Sequence, residues 1–302
     1  LTPDIAYHVN KLERGYDYLV DILGADHHGY IARLKATIQA LGYEQDKLSV
    51  ELVQMVRLIK DGAEFKMSKR TGKAITHVDL LDEVPIDAVR FLFNMREAGS
   101  AMDFDLGLAV EQSNQNPVYY CQYAHARICS ILRKLENEGV KIRKPSKEEL
   151  MLLSSAEEKD LISHLASLTG LIILAANTYD PAKITHYAGE LATKFHRFYN
   201  AQRVMTDDES VMQARIFLCN CVRNTMKNVL SMLKIQAPES KKKKKMDFKY
   251  IRRLKPFIIL SMIFIFMPIV TKAGGLIPTD FNGFAVTSNG VVVVGNIVFD
   301  LN

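Results

Sequence analysis

The sequence predicts an α/β unit followed by an all-helical bundle, with a β-prone segment at the far end of its 302 residues. Three observations carry this reading. Residues 18–23 form a short apolar run stopped by Gly24, and residues 48–58 alternate with Val, Leu and Met, so the early part holds strands between helical stretches. From Leu106 onward Gly, Pro and charge clusters cut a helix-period sequence into pieces. No strand pattern returns until Gly290-Val291-Val292-Val293-Val294-Gly295.

In order, residues 5–12 read as a helix and 18–23 as a buried strand. The loop Gly24-Ala25-Asp26-His27-His28-Gly29-Tyr30 then sits at that strand's C-terminal end, where parallel α/β sheets bind ligands. Asp26, His27 and His28 can offer acceptors and donors to a ribose, an adenine or an amino acid. As zinc ligands they lack a third partner, and adjacent histidines diverge, so no metal site is assigned. Residues 31–41 are a helix closed by Gly42. Residues 48–58 read as a strand, Asp61-Gly62 as a turn, and 79–84 as the approach to a helix opened near Pro85. In that helix Ile86, Val89 and Phe93 alternate at helical spacing with Arg90 and Asn94. Asp87 and Arg90 read either as functional groups or as an N-terminal charge and a surface ion pair.

The bundle is expected as helices over about 107–114, 117–138, 147–160, 161–178, 181–205 and 209–235, with Asn137-Glu138-Gly139 and Asp180-Pro181 as the clearest breaks. In the second helix Cys121, Ala124, Ile128, Ile131 and Leu135 form a core row. Tyr120, Tyr123 and Arg127 form a second row about a quarter-turn away. Two aromatics and an arginine can stack unpaired bases and hold a phosphate; the same side chains can equally be an amphipathic rim over the core. Phe195 and Tyr199 read as core, and His164, His186 and His196 as structural or exposed.

The net charge of +5 is uneven. Ten of the 39 Lys/Arg and three of the 34 Asp/Glu fall in 241–302, leaving 29 against 31 in 1–240. The folded part is therefore near neutral, and nucleic-acid binding must use local patches. Residues 60–73 carry five cations against two anions, and 113–145 carry six against two. Cys121, Cys129, Cys219 and Cys221 lack metal-site spacing and read as reduced thiols of a cytosolic protein.

The segment that states a chemistry is Phe65-Lys66-Met67-Ser68-Lys69-Arg70-Thr71-Gly72. Its three cations, with Lys73 just beyond, suit a polyphosphate, whose developing charge ammonium and guanidinium groups neutralise. Lys-Met-Ser-Lys-Arg resembles the second signature of the class I aminoacyl-tRNA synthetases, whose mobile loop clamps ATP. Together with Gly24 to Tyr30, with Asp87-Ala88-Val89-Arg90, and with Asn116-Pro117-Val118-Tyr119-Tyr120-Cys121-Gln122-Tyr123-Ala124-His125-Ala126-Arg127, it resembles bacterial arginyl-tRNA synthetase from about residue 1 to residue 239.

The resemblance implies a Rossmann-type catalytic remnant over 1–106 and an all-α anticodon-binding bundle over 107–239. It implies ATP with Mg²⁺ as cofactors, and arginine and arginine tRNA as partners. Lys66 and Lys69 would stabilise the leaving pyrophosphate, with Met67 and Ser68 shaping the loop against the nucleotide. Gly24, Asp26, His27 and His28 would line the ATP pocket. Asp4, Asp26 and His27 would meet the arginine, although Asp4 read on its own is equally a helix N-cap. Tyr120, Tyr123 and Arg127 would contact the anticodon loop. The family's first signature, a His-x-Gly-His-like loop, is not found in the sequence, nor is the domain that reads the tRNA elbow. The chain alone is therefore expected not to ligate. A non-catalytic tRNA-binding module and a membrane-tethered fusion are the alternatives.

After Glu239 come Ser240 and five lysines, a like-charge joint over 240–245. Residues 246–273 have the order of an export signal: a basic start, an apolar run over 257–270 broken by Pro268, and small residues three apart near Ala273. At 14 residues the run is short for a membrane span. The expected location is cytoplasmic, with the tail a joined foreign reading frame; a membrane partner enters only if the 257–270 segment acts as an anchor.

Overall fold

A computed structural model describes residues 2–65 and 76–240 and the backbone of three strands near the end. The basic loop at 66–70, the lysines at 241–245 and the export-like stretch at 246–273 lie outside the described residues. The chain forms two compact units, one of Leu1–Met55 with Ala98–Met102 and Lys243–Asn302, the other of Val56–Glu97 with Asp103–Lys242. Residues 56–97 thus group with the helices, whereas the sequence patterns place a boundary near 106.

In the first unit α1 (Thr2–Glu13) precedes β1 (Leu19–Gly24), which runs parallel to β2 (Leu48–Val53) in a register from Leu19↔Leu48 to Gly24↔Val53. α2 (Ile31–Ala40) connects them, and Gly42 at φ 85° ends it in the left-handed region. Leu12, Leu19, Leu34, Ile38 and Leu48 form the core, with Tyr16, Leu23, Tyr30, Leu41 and Val50 packed on it. This is a βαβ arrangement, and the loop at 25–30 follows the C-terminal end of β1 as a 3-10 turn.

The expected strand at 48–58 is two strands. β2 stops where β1 has no further residue to pair, and β3 (Val56–Lys60) belongs to the second unit. β3 turns antiparallel into β4 (Ala63–Glu64) through Asp61 and Gly62, both at positive φ, as a type I′ turn requires. β5 (Met102–Asp105) lies on the other side of β3. Its four residues, with only Phe104 fully buried, are too short and acidic to show a strand pattern.

α3 (His77–Glu83) opens with a reciprocal Thr76–Asp79 capping box, α4 (Ile86–Phe93) begins after Pro85, and α5 (Leu106–Val110) is capped by Asp105. α6 (Pro117–Asn137) has Asn116 as its cap and Pro117 in the first turn. Then come α7 (Lys147–Leu150), α8 (Ala156–Ala166), α9 (Leu168–Asn177), α10 (Ala182–Ala201) and α11 (Glu209–Met232). The expected helices at 147–160 and 161–178 divide elsewhere, because Ser146 with Glu149 and Ser155 with Glu158 each form a capping box that restarts the helix. Glu158 also meets Arg215 at 2.7 Å, its charge buried but paired across the bundle.

Cys121, Ala124, Ile128 and Leu135 are buried along α6. Leu132 takes the place expected of the half-buried Ile131, since a 3.6-residue turn drifts from a strict a/d row. The four cysteines are free thiols, and burial pushes Cys121 and Cys219 up to about 12. Strands β6 (Phe284–Val286), β7 (Val291–Val294) and β8 (Ile297–Asp300) form an antiparallel sheet of their own. Among the described residues, one helical stretch, Ala156–Asn177, is long and apolar enough to cross a membrane, and its Leu161 and Ile172 are buried in the bundle.

Candidate functional site

The second row of α6 meets α10. Tyr120 and Tyr123 are half-buried, and both rings approach His196 of α10, at 5.0 Å and 5.6 Å between centroids. Tyr119 stacks on Tyr123 one turn away, at 6.3 Å and 6°. Arg127 ties the two helices together. Its guanidinium lies 4.5 Å over the Tyr199 ring and 5.8 Å over Tyr123, and it reaches the Tyr123 hydroxyl at 3.4 Å. A guanidinium held over aromatic rings can still donate to a phosphate, while the rings offer faces to bases.

Two of these residues carry more than their sequence reading. His196, taken from the sequence as structural or exposed, lies in the middle of the aromatic cluster. Burial, helped by the Arg127 charge, pushes it down to about 4, so it is neutral at physiological pH. Tyr199 is half-buried in the same cluster, whereas Phe195 belongs to the core as expected. His196 and Tyr199 are three residues apart on one helix. That spacing is visible in sequence, but nothing there says which helix lies opposite.

The opposite side of α6 holds the chain's return. After α11 the backbone over 234–239 runs past α4 and α6, and five side chains grip it. Arg90 Nη1 donates to Lys234 O at 2.6 Å, and Gln122 Nε2 to Gln236 O at 2.9 Å. His125 Nδ1 and Arg133 Nη2 reach the carbonyls of Pro238 and Glu239 at 2.9 and 2.7 Å. Asp87 accepts from Gln122 and from the Gln236 N–H. Asp87 and Arg90 therefore form neither a free first-turn charge nor a surface ion pair. Burial raises Asp87 against the hydrogen bonds that favour its charge.

In the first unit the loop after β1 places Asp26 and His27 together, Oδ1 to Nδ1 at 2.9 Å, with side chains 82% and 49% exposed. His28 is also exposed. A Cβ on Gly24 would come within 2.6 Å of the Asp26 carboxylate, so glycine is what lets that carboxylate fold back over the strand end. Asp4 stands in the first turn of α1, where its Oδ2 accepts from the Tyr30 hydroxyl at 2.6 Å. That bond holds the carboxyl below its ordinary range. On β1, half-buried Asp21 receives the buried His8 at 2.8 Å and Lys11 at 2.7 Å. His8 and Lys11 thus pin α1 to β1 at two points, and His8 Nδ1 also meets the carbonyl of Asp4 in its own helix at 2.7 Å. The sequence reading missed this cluster, whose members are 10 and 13 residues apart on different elements.

Residues 121–240 match the DALR anticodon binding domain family. Over 237 residues the chain is 50% identical to an arginine–tRNA ligase of Ruminiclostridium cellulolyticum, covering 78% of this chain and 42% of that protein. A crystal structure of an arginyl-tRNA synthetase from Campylobacter jejuni superposes with a TM-score of 0.68 at 33% identity, covering 78% of this chain and 51% of that one. The Thermus thermophilus arginyl-tRNA synthetase shares the fold, with a TM-score of 0.62 at 22% identity over 74% of this chain and 41% of that one. The chain thus spans about two fifths to half the length of the proteins it matches.

Proposed function

From the premise that the chain belongs to the arginyl-tRNA synthetases over the 237 residues it shares with them, and carries a DALR anticodon binding domain at 121–240, we propose that it binds arginine tRNA through the α6–α10 surface. Arginine–tRNA ligation is then the reaction of the whole protein, in the cytoplasm. The observation that carries the binding step is Arg127 spanning Tyr123 and Tyr199 beside His196, inside the matched segment. Bases of an unpaired loop would stack on Tyr120 and Tyr123, with Arg127 on a phosphate.

In the proposed reaction the arginine carboxylate attacks the α-phosphate of ATP, giving arginyl-adenylate and releasing pyrophosphate. A hydroxyl at the tRNA 3′ end then takes the arginyl group and releases AMP. The work is positional and electrostatic. Asp4, ordered by Tyr30 and held ionised, is suited to the substrate guanidinium, and Asp26 and His27 would be its further contacts. Gly24, Asp26, His27 and His28 would face the nucleotide. Lys66 and Lys69, with Met67 and Ser68, would close on its phosphates. Among the described residues no group of three or more His, Cys, Asp or Glu side chains converges as metal ligands would. Mg²⁺ arriving with ATP would add charge neutralisation at its phosphates.

The test is binding of the chain to arginine tRNA, an anticodon-swapped arginine tRNA and an unrelated tRNA at two salt concentrations. Preference for the first, lost on the swap and on Tyr123→Ala, supports the reading. Equal, salt-sensitive binding to all three would overturn it, because phosphate contacts alone do not discriminate.

A further inference from the structure

Among the described residues, two buried side-chain polar atoms make no hydrogen bond: Asn220 Oδ1 and His196 Nε2. The second lies in the aromatic surface. Buried polar atoms in folded chains nearly always find partners, and one that does not lowers stability. The imidazole that carries this nitrogen sits among aromatic rings. Between ring centroids, Tyr120 lies 5.0 Å from it, Tyr123 5.6 Å at 26°, and Phe195, on its own helix, 5.5 Å. Phe195 is fixed in the core, but Tyr120 and Tyr123 are half-buried and come from the neighbouring helix.

We infer that His196 is a base-reading residue, covered by Tyr120 and Tyr123 in the free chain and uncovered when one of those rings turns outward to stack on an unpaired nucleobase. This rests on the reading of the α6–α10 surface as an RNA interface. The ligand class follows from the chemistry at the site. A phosphate would seek the Arg127 cation at the rim. A neutral, unpaired imidazole nitrogen beside two tyrosine rings instead suits a nucleobase edge, which offers both N–H donors and carbonyl acceptors. The ring stays neutral because burial and Arg127 oppose its protonation. The free chain thus keeps a nitrogen unpaired, and the bound base supplies the missing partner. Local inconsistencies of this kind are expected at functional positions.

The experiment uses the full chain with His196→Phe, His196→Gln and Tyr123→Ala. It measures thermal unfolding together with binding of arginine tRNA and of the same tRNA with a swapped anticodon. Phenylalanine keeps a ring and removes the unpaired nitrogen, so His196→Phe should unfold at the same or a higher temperature. It should nevertheless bind arginine tRNA about tenfold more weakly, the scale of one lost hydrogen bond. Discrimination against the swapped tRNA should fall, while the salt dependence should not change, because no phosphate contact is removed. His196→Gln, which keeps a polar atom at similar reach, should recover part of the discrimination.

Wild-type affinity and discrimination in His196→Phe, with Tyr123→Ala weakened, would overturn this inference and leave the RNA reading standing. A large drop in the unfolding temperature of His196→Phe would also overturn it, since the nitrogen would then be structural. Failure of the unaltered chain to bind any tRNA would overturn both.

Discussion

Arg90 and Lys234, 144 residues apart in sequence, are joined by a 2.6 Å hydrogen bond from the guanidinium to a backbone carbonyl. Four more side chains, from α4 and α6, hold Gln236, Pro238 and Glu239 of the same return. The segment after α11 is thereby part of the bundle, and α4 is stitched to α6, the helix that bears the tyrosines. Arg90→Ala removes a charged donor from a part-buried carbonyl. It should lower the stability of the second unit by about 1.5–3 kcal/mol, read as an earlier unfolding midpoint in urea with an unchanged slope.

Lys234 sits at φ 56°, a left-handed position unfavourable to a side chain. It ends α11 in a Schellman arrangement, with Ile235 N–H on Leu230 O and Lys234 N–H on Ser231 O, both at 2.9 Å. Its contact with Arg90 uses only backbone. Lys234→Gly should therefore raise stability by about 0.5–1 kcal/mol and leave the Arg90 bond in place. A lower unfolding temperature in a calorimetric scan would show that the lysine side chain contributes more than its backbone costs.

His8 and Asp21 titrate in opposite directions. The Asp21 hydrogen bond raises His8 above 6.5 against the burial that opposes it. Burial pushes Asp21 up, but the bonds from His8 and Lys11 outweigh it and leave Asp21 below 3.8. The His8 contribution is complete below pH 6.5 and is lost as pH rises through its raised folded value; the Asp21 contribution is complete above 3.8 and is lost as pH falls through its depressed one. The pair therefore supports the first unit most between these limits. An NMR titration should find the His8 ring changing charge above 6.5 and His196 near 4. Asp21→Asn should bring His8 down and leave His196 where it is.

Arg127 tests the electrostatic part of the RNA reading. Arg127→Gln should weaken tRNA binding by about tenfold for all sequences alike and reduce the log–log salt slope by about one. An unchanged slope with weaker binding would mean that the guanidinium only props Tyr123 and Tyr199 in place. The contrast with His196→Phe, expected to alter discrimination but not slope, separates the two roles.

Much of the architecture is local and could be read in order along the chain. Gly24 ending an apolar run placed β1 and its loop, Asp61-Gly62 placed a type I′ turn, and Asn116-Pro117 opened α6. The Tyr120, Tyr123 and Arg127 row followed from the helical repeat alone. The split between α7 and α8 was missed because a serine with a glutamate three residues later interrupts a pattern whose apolar period otherwise runs on. The grip on 234–239 was missed because the groups it holds are main-chain carbonyls and an N–H, which recur along the whole backbone and which no side-chain pattern marks.

What the sequence by itself determined is therefore what depends on neighbours within a turn or two: element type, caps, glycine positions, the basic composition of the 66–70 loop and the aromatic face of α6. Only the tertiary structure decided which faces meet. It set His196 beside the tyrosines and Arg127 over the Tyr199 ring. It also closed Arg90 on Lys234 and paired Asp21 with His8 and Lys11. Each of these is a contact between elements, fixed by how helices and strands pack and by the need to satisfy buried polar groups, and neither constraint leaves a periodic trace in the chain.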